Sequence, residues 1–170
     1  MNSRFDETLA RVAGEVFEGL AFMLSMPLGE GEDSRPPGLA AKIAFTGPCE
    51  GFVILRISAH LLPVLAANML GLDEDDEIER SQQEDALGEL LTVLCGTLLP
   101  EVAGPEAVFD LNTPEIIDET PEEATAEWGD PAGRAHVVVD DGYAEFTLFV
   151  RGDLPTDGMF EGLAEARQSE

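Results

Sequence analysis

Between Ser81 and Val102 the chain reads SQQEDALGELLTVLCGTLLPEV, and its apolar residues return at every third or fourth position. At about 100° per residue, Leu87, Leu90, Leu91, Leu94, Cys95 and Leu98 share one broad face, the mark of an amphipathic helix packed on a core. Ser81 and Glu84 stand at the spacing of a capping box that opens such a helix. Pro100 predicts its end near Leu99, because a proline cannot continue the backbone ladder and restricts the residue before it. Opposite the leucines runs a narrow stripe of Asp85, Gly88, Glu89, Thr92 and Gly96. A glycine inside a helix costs about 1 kcal/mol against alanine. From spacing alone such a stripe reads first as a solvated face; two glycines within it also suit a surface kept low for the approach of another body.

The same reading extends along the chain. Phe5, Leu9, Val12, Val16, Leu20, Met23 and Leu24 predict a first helix from Asn2 or Ser3 to about Met26. Residues 27–38, rich in Gly, Pro and charge, read as a loop. Leu39–Phe45 and Gly51–Ile57 are strands joined by TGPCEG, an antiparallel hairpin whose second strand is apolar enough to lie centrally. Ala59–Leu70 returns to helical spacing, with Pro63 in the first turn and Gly71 as the C-cap. Residues 73–80, DEDDEIER, lack the ligand spacing and central glycine of a calcium loop and read as a solvated linker. Beyond Pro100 the strand candidates are Ala107–Leu111, Glu115–Ile117, Ala135–Asp140 and Tyr143–Val150, with Ala124–Trp128 as a further short one. Asp141-Gly142 is a hairpin turn signal. Leu154–Arg167 predicts a terminal helix, and residues 168–170 a frayed tail. The sum is a single domain over 1–170, α/β in its α+β form. Helices pack on a largely antiparallel sheet built from helix–hairpin–helix halves.

Composition narrows the function. A chain of 170 residues is long enough to bury about 70% of its unfolded surface. Its 35 acidic residues face only 9 basic ones, for a formal net charge of −26, and Lys42 is the one lysine. That balance argues against nucleic acid and against an anionic membrane as ligands, since both draw on clustered Lys and Arg. Part of the acidity fits a solubility or high-salt role equally well. No apolar run is expected to reach the ~20 residues of a bilayer span, and the N-terminus lacks the apolar core of a secretory signal. Cys49 and Cys95 lie far from each other and from metal-ligand spacing, so a reduced, cytoplasmic protein is expected. His60 and His136 are isolated, and no metal site is expected around them.

The stripe carries a further signal. Asp85-x3-Glu89-x2-Thr92 resembles the signature of the CheC/CheX-type chemotaxis phosphatases, which carry Asp or Ser, then Glu, then Asn at these spacings. The segments IAFTGPCEGFVILRIS, LLPVLAANMLG and DALGELLTVLCGTLL are similar, in that order, to the CheX-like succession of hairpin, helix and site helix, and the likeness covers most of 1–151. The resemblance implies a CheX-like fold and, as substrate, the phospho-aspartate of a CheY-like response-regulator receiver domain. By the same likeness Glu89 pairs with a receiver lysine and Thr92 takes the water-positioning place, with Asp85, Gly88 and Gly96 contacting the partner. No cofactor of its own is implied; Mg2+ is expected on the receiver.

The departures are local. Thr92 replaces asparagine with a hydroxyl that both donates and accepts but reaches about one bond less far. Some two-component sensor kinases use Thr or Asn three positions after an acidic residue for the same reaction. The first-helix Glu-x2-Asn of two-site relatives has Glu18-Gly-Leu-Ala21 as its nearest match, which ends in a methyl group, so no second site is assigned. Pro114 stands one residue short of the family's downstream proline. Three readings follow: a receiver phosphatase, a non-catalytic adaptor that docks a receiver or a flagellar-switch-like partner through the same helix, and a homodimer joined at a strand edge.

Overall fold

The computed structural model describes residues 5–27, 38–73, 77–117, 121–139 and 142–152. The most apolar strand of the sequence is the one the sheet is built around. β3 (Glu50–Ser58) is flanked by β2 (Gly38–Thr46) and β7 (Gly142–Arg151), antiparallel to both. β6 (Gly133–Val139) continues beyond β7, and β1 (Ser25–Pro27) closes that edge. On the far side β4 (Asp110–Leu111) and β5 (Glu115–Ile117) both pair with β2. The result is one seven-stranded sheet in which every pairing is antiparallel.

Alternation along the strands gives the sheet two different faces. One presents Ile43 and Phe45 of β2, Val53 and Leu55 of β3, and Phe146 and Leu148 of β7 to the main core. Three helices cover it: α1 (Asp6–Ala21), α2 (Leu61–Leu70) and α3 (Arg80–Ala103). Phe17 of α1 meets Phe146 edge to face at 6.0 Å. The other face carries a smaller cluster in which Phe52 stacks on Phe149 at 4.9 Å, under Ala124 and Trp128 of α4 (Pro121–Trp128). Lys42 lies 4.2 Å from the Phe52 ring centroid and Arg151 3.8 Å from that of Trp128, so two of the few cations lid this cluster through their affinity for aromatic faces.

Several element ends differ from the sequence reading, each for a visible reason. α1 stops at Ala21, not near Met26. Phe22 adopts a left-handed conformation (φ 55°), and the Met23 amide closes back on the Phe17 carbonyl at 3.0 Å. Met23 is then buried from outside the helix, and the chain goes straight into β1. α3 begins at Arg80 with Glu79 as its cap: Glu79 and Gln82 form the capping box, with the Glu79 amide donating to Gln82 Oε1 at 2.9 Å. Ser81 and Glu84 therefore fall inside the helix, where Glu84 pairs with Arg80 at 3.6 Å.

α3 also runs through Pro100 to Ala103 and ends at Gly104, whose φ is 96°. The proline forfeits one ladder bond, but Leu98, Leu99, Val102 and Ala103 around it are buried and hold the last turn in place. Ala124–Trp128 belongs to helix α4, not to a strand. Pro121 at its start, two glutamates in the first turn and a Thr125 hydroxyl donating to the Pro121 carbonyl favour a helix there. The expected strand Ala107–Leu111 shrinks to Asp110–Leu111 because Phe109 turns toward Phe45.

Gly142 lies in β7 opposite Val139, and a Cβ there would fall 2.7 Å from Leu61. Close approach, not a turn, requires this glycine. α1 starts at Asp6 with Phe5 in the cap position, later than the Asn2 or Ser3 cap expected from the sequence. The turn before Gly142, the predicted helix Leu154–Arg167 and the tail lie outside the described residues. By length and composition α3 is apolar enough to cross a membrane, with mean hydropathy 1.5 over 18 residues, yet 56% of that window is buried inside the fold.

Candidate docking and catalytic ridge

Burial of the leucine face decides where the polar stripe points. Leu87, Leu90, Leu91, Leu94, Cys95 and Leu98 have no exposed surface, and burying each leucine stabilises the fold by about 1.5–3 kcal/mol. The helix therefore cannot roll, and its opposite side is fixed outward. Asp85, Glu89 and Gly96 are exposed, while Gly88 and Thr92 are half-buried. All five expected residues thus lie along one outward ridge, with Glu89 and Thr92 three positions apart on the same side.

Thr92 has a defined hydrogen-bonding state. Its hydroxyl donates to the Gly88 carbonyl at 2.9 Å, one turn back. That bond engages its proton within the helix and leaves the lone pairs of the oxygen as acceptors.

The two glycines differ. A Cβ on Gly88 would come within 3.3 Å of the Pro114 side chain, so this glycine seats the segment that leads into β5. The Asn112 amide anchors that segment to the Ala44 carbonyl at 2.9 Å. A Cβ on Gly96 would meet none of the described residues within 4 Å. Beside Gly96 lies an open cleft of about 140 Å³, lined also by Leu99, Pro100, Ala107, Phe109 and Leu111. Sequence reasoning missed the cleft because Phe109 and Leu111 read as strand residues, and it passed over Pro114, whose spacing was the available signal.

Other candidates resolve into structural roles. Cys49 and Cys95 are free thiols, both buried; burial pushes the Cys95 thiol up to about 12 and raises that of Cys49. His136 lies 3.1 Å from Glu145, its register partner. Burial of Glu145 favours its neutral form. The hydrogen bond from His136 and the nearby charges of His136, Arg56 and Arg134 outweigh that and hold the carboxyl below its ordinary value. On α1, Glu15 pairs with Arg11 at 2.9 Å, and Glu18 is exposed beside a buried Ala21. Among the described residues no three His, Cys, Asp or Glu side chains gather closely enough to hold a metal ion.

An open antiparallel sheet with three helices on one face, the longest turning a polar ridge outward, defines an α/β class in which that helix is both core and surface. The chain belongs to the CheX family of chemotaxis phosphatases: the family model described as chemotaxis phosphatase CheX matches residues 39–140, more than half of its length. No curated protein sequence matches it. Among solved structures it is similar to CheX of Desulfovibrio desulfuricans, 14% identical with a TM-score of 0.60, over 85% of this chain and 97% of that one. It is similar to the CheX–CheY–BeF3–Mg2+ complex from Borrelia burgdorferi at 15% identity and a TM-score of 0.61, over 86% and 97%. Thermotoga maritima FliY is 15% identical with a TM-score of 0.51, over 97% and 98%. At these identities the structural likeness establishes the fold.

Proposed function

We propose that this protein dephosphorylates the phospho-aspartate of a CheY-like receiver domain, with Glu89 and Thr92 as the working pair. The observation that carries the reading is the Thr92 hydroxyl, its proton held by the helix and its lone pairs left to accept, one turn from the exposed carboxylate of Glu89 on the same side of a helix packed on the core. Membership of the CheX family supports it, as does the relative from Borrelia burgdorferi, whose structure is a complex with CheY, BeF3 and Mg2+.

Phosphoryl transfer to water needs an in-line nucleophile and compensation of charge at the phosphoryl group, with little covalent help. A water that donates one O–H to Thr92 Oγ1 turns a lone pair away from the helix, toward the phosphorus of a docked partner. Its oxygen forms the new P–O bond as the bond to the aspartate oxygen breaks; the aspartate returns to its carboxylate and both water protons leave with the inorganic phosphate. Glu89 pairs with a cationic side chain of the partner and so fixes the register in which that water lies in line. Mg2+ held by the receiver would neutralise the phosphoryl oxygens. The short Thr92 side chain requires the partner to come close. Exposed Asp85 and bare Gly96 leave room for this, and Gly88 contributes by seating Pro114 beside the ridge.

The test is decay of a phosphorylated CheY-like receiver. The wild type accelerates it, and Glu89→Ala removes about 10²-fold of the acceleration through lost positioning. Failure of both the wild type and Thr92→Asn to exceed buffer overturns the catalytic reading.

The proton engaged by Gly88 favours a second reading. A hydroxyl that cannot donate gives less control over a water than an amide, and an adaptor would bind the receiver or a flagellar-switch-like partner without turnover. Affinity without acceleration, weakened by Glu89→Ala or Asp85→Ala, distinguishes it. Pairing of two copies at a sheet edge is less favoured: among the described residues the outermost strands are the three-residue β1 and the short β4 and β5, and short edges are poor templates. A receiver partner would place the protein in the cytoplasm.

A further inference from the structure

We infer that the cleft beside Gly96 receives an apolar side chain of the partner, presented from a basic surface; this rests on the docking reading above. The cleft continues the ridge, since Gly96, one turn beyond Thr92, forms its wall. Its other walls are formed by Leu99, Pro100, Ala107, Phe109 and Leu111, and apolar surface makes up the larger part of the lining beside polar atoms. At about 140 Å³ it is close to the volume, about 150 Å³, of an apolar cavity that holds benzene, so one aromatic or large aliphatic side chain fits. Leu111, one of these walls, is 37% exposed and leaves apolar surface open at the cleft.

Gly96 adds an independent argument. Alanine there would meet none of the described residues within 4 Å and would favour the helix. Among the described residues no packing requires glycine at that position, in contrast to Gly88 under Pro114. A wall that must stay low for an incoming group gives one.

Charge selects the partner's rim. From Ser81 to Gly133 the sequence contains no Lys, Arg or His, while Asp85, Glu89, Glu106 and Asp110 are exposed on or beside the ridge and cleft. An apolar centre inside an acidic border matches an apolar anchor framed by Lys or Arg, the arrangement in which a central buried side chain carries affinity and the charged rim steers encounter.

The experiment titrates a CheY-like receiver domain charged with beryllofluoride and Mg2+ against the wild type, Gly96→Ala, Gly96→Leu and Glu89→Ala, with thermal melts of each. Gly96→Leu fills the cleft and weakens binding by about tenfold, the effect of losing one central anchor, while its melt stays at or above that of the wild type. Gly96→Ala weakens binding less, raises the melting temperature, and decides the question should the leucine variant fail to fold. Affinity of the wild type falls as salt is added. Wild-type affinity in both Gly96 variants, with Glu89→Ala weakened, overturns the cleft as a subsite and leaves ridge docking intact. Affinity indifferent to salt overturns the basic rim. No binding by any form removes the docking reading and this inference with it.

Discussion

Thr92 and Cys95 are neighbours on α3 with opposite fates, and both make checkable statements. Thr92→Val keeps the shape of the side chain and removes the acceptor. The fold should be retained while acceleration of receiver decay is lost, whereas Thr92→Asn should retain or raise it; a single-turnover assay of both variants decides. Cys95 is sealed under the helix, and its thiol is pushed up to about 12 by burial. In the unfolded chain a cysteine ionises near pH 8.5. Above that pH the unfolded state gives up a proton that the folded state keeps, so the contribution of Cys95 to stability is complete below about pH 8.5 and is lost progressively toward pH 12. Alkaline denaturation of the wild type should therefore be steeper than that of Cys95→Ala, and thiol reagents should label the native protein at pH 8 only after denaturant is added. That Thr92 bonds to Gly88 could not be read from sequence, because a threonine in mid-helix has both its own helix and the solvent as partners and only coordinates choose between them.

At the scale of the element, α3 shows what a sequence can specify and where it stops. Its buried face was legible because the 3.6-residue period is imposed by the backbone itself, and every leucine assigned inward is inward. Its ends were not. Glu79 outcompeted Ser81 as the cap, and tertiary packing of Leu98, Leu99 and Val102 carried the helix past Pro100. α4 was misread as a strand because Ala124–Trp128 is too short to show any period. The two glycines of the ridge give a paired prediction. Gly96→Ala should stabilise the protein by about 1 kcal/mol. Gly88→Ala should gain the same propensity but press on Pro114 at 3.3 Å, which cancels or reverses the gain. Equilibrium urea unfolding of the two variants measures the difference directly.

For the whole molecule, the hairpin and helix order, together with the strands after Pro114, were enough to give the antiparallel sheet. The edge strand β1 was hidden inside what read as the end of a helix. A net charge of −26 sets the global response to medium: self-repulsion opposes compaction and is screened as the Debye length falls from about 10 Å at 0.1 M salt to about 3 Å at 1 M. The melting temperature should rise with sodium chloride over that range, and a flat response would show the acidity to be locally neutralised. Leu94→Ala, at the centre of the core, should lower stability by about 3–5 kcal/mol in the same unfolding assay.

The leucine side of α3 ties the ridge to the packed core, so the surface it offers is set by the same burial that holds the fold together. For a partner docked as proposed above, adjustment of shape would fall mainly to the visiting molecule.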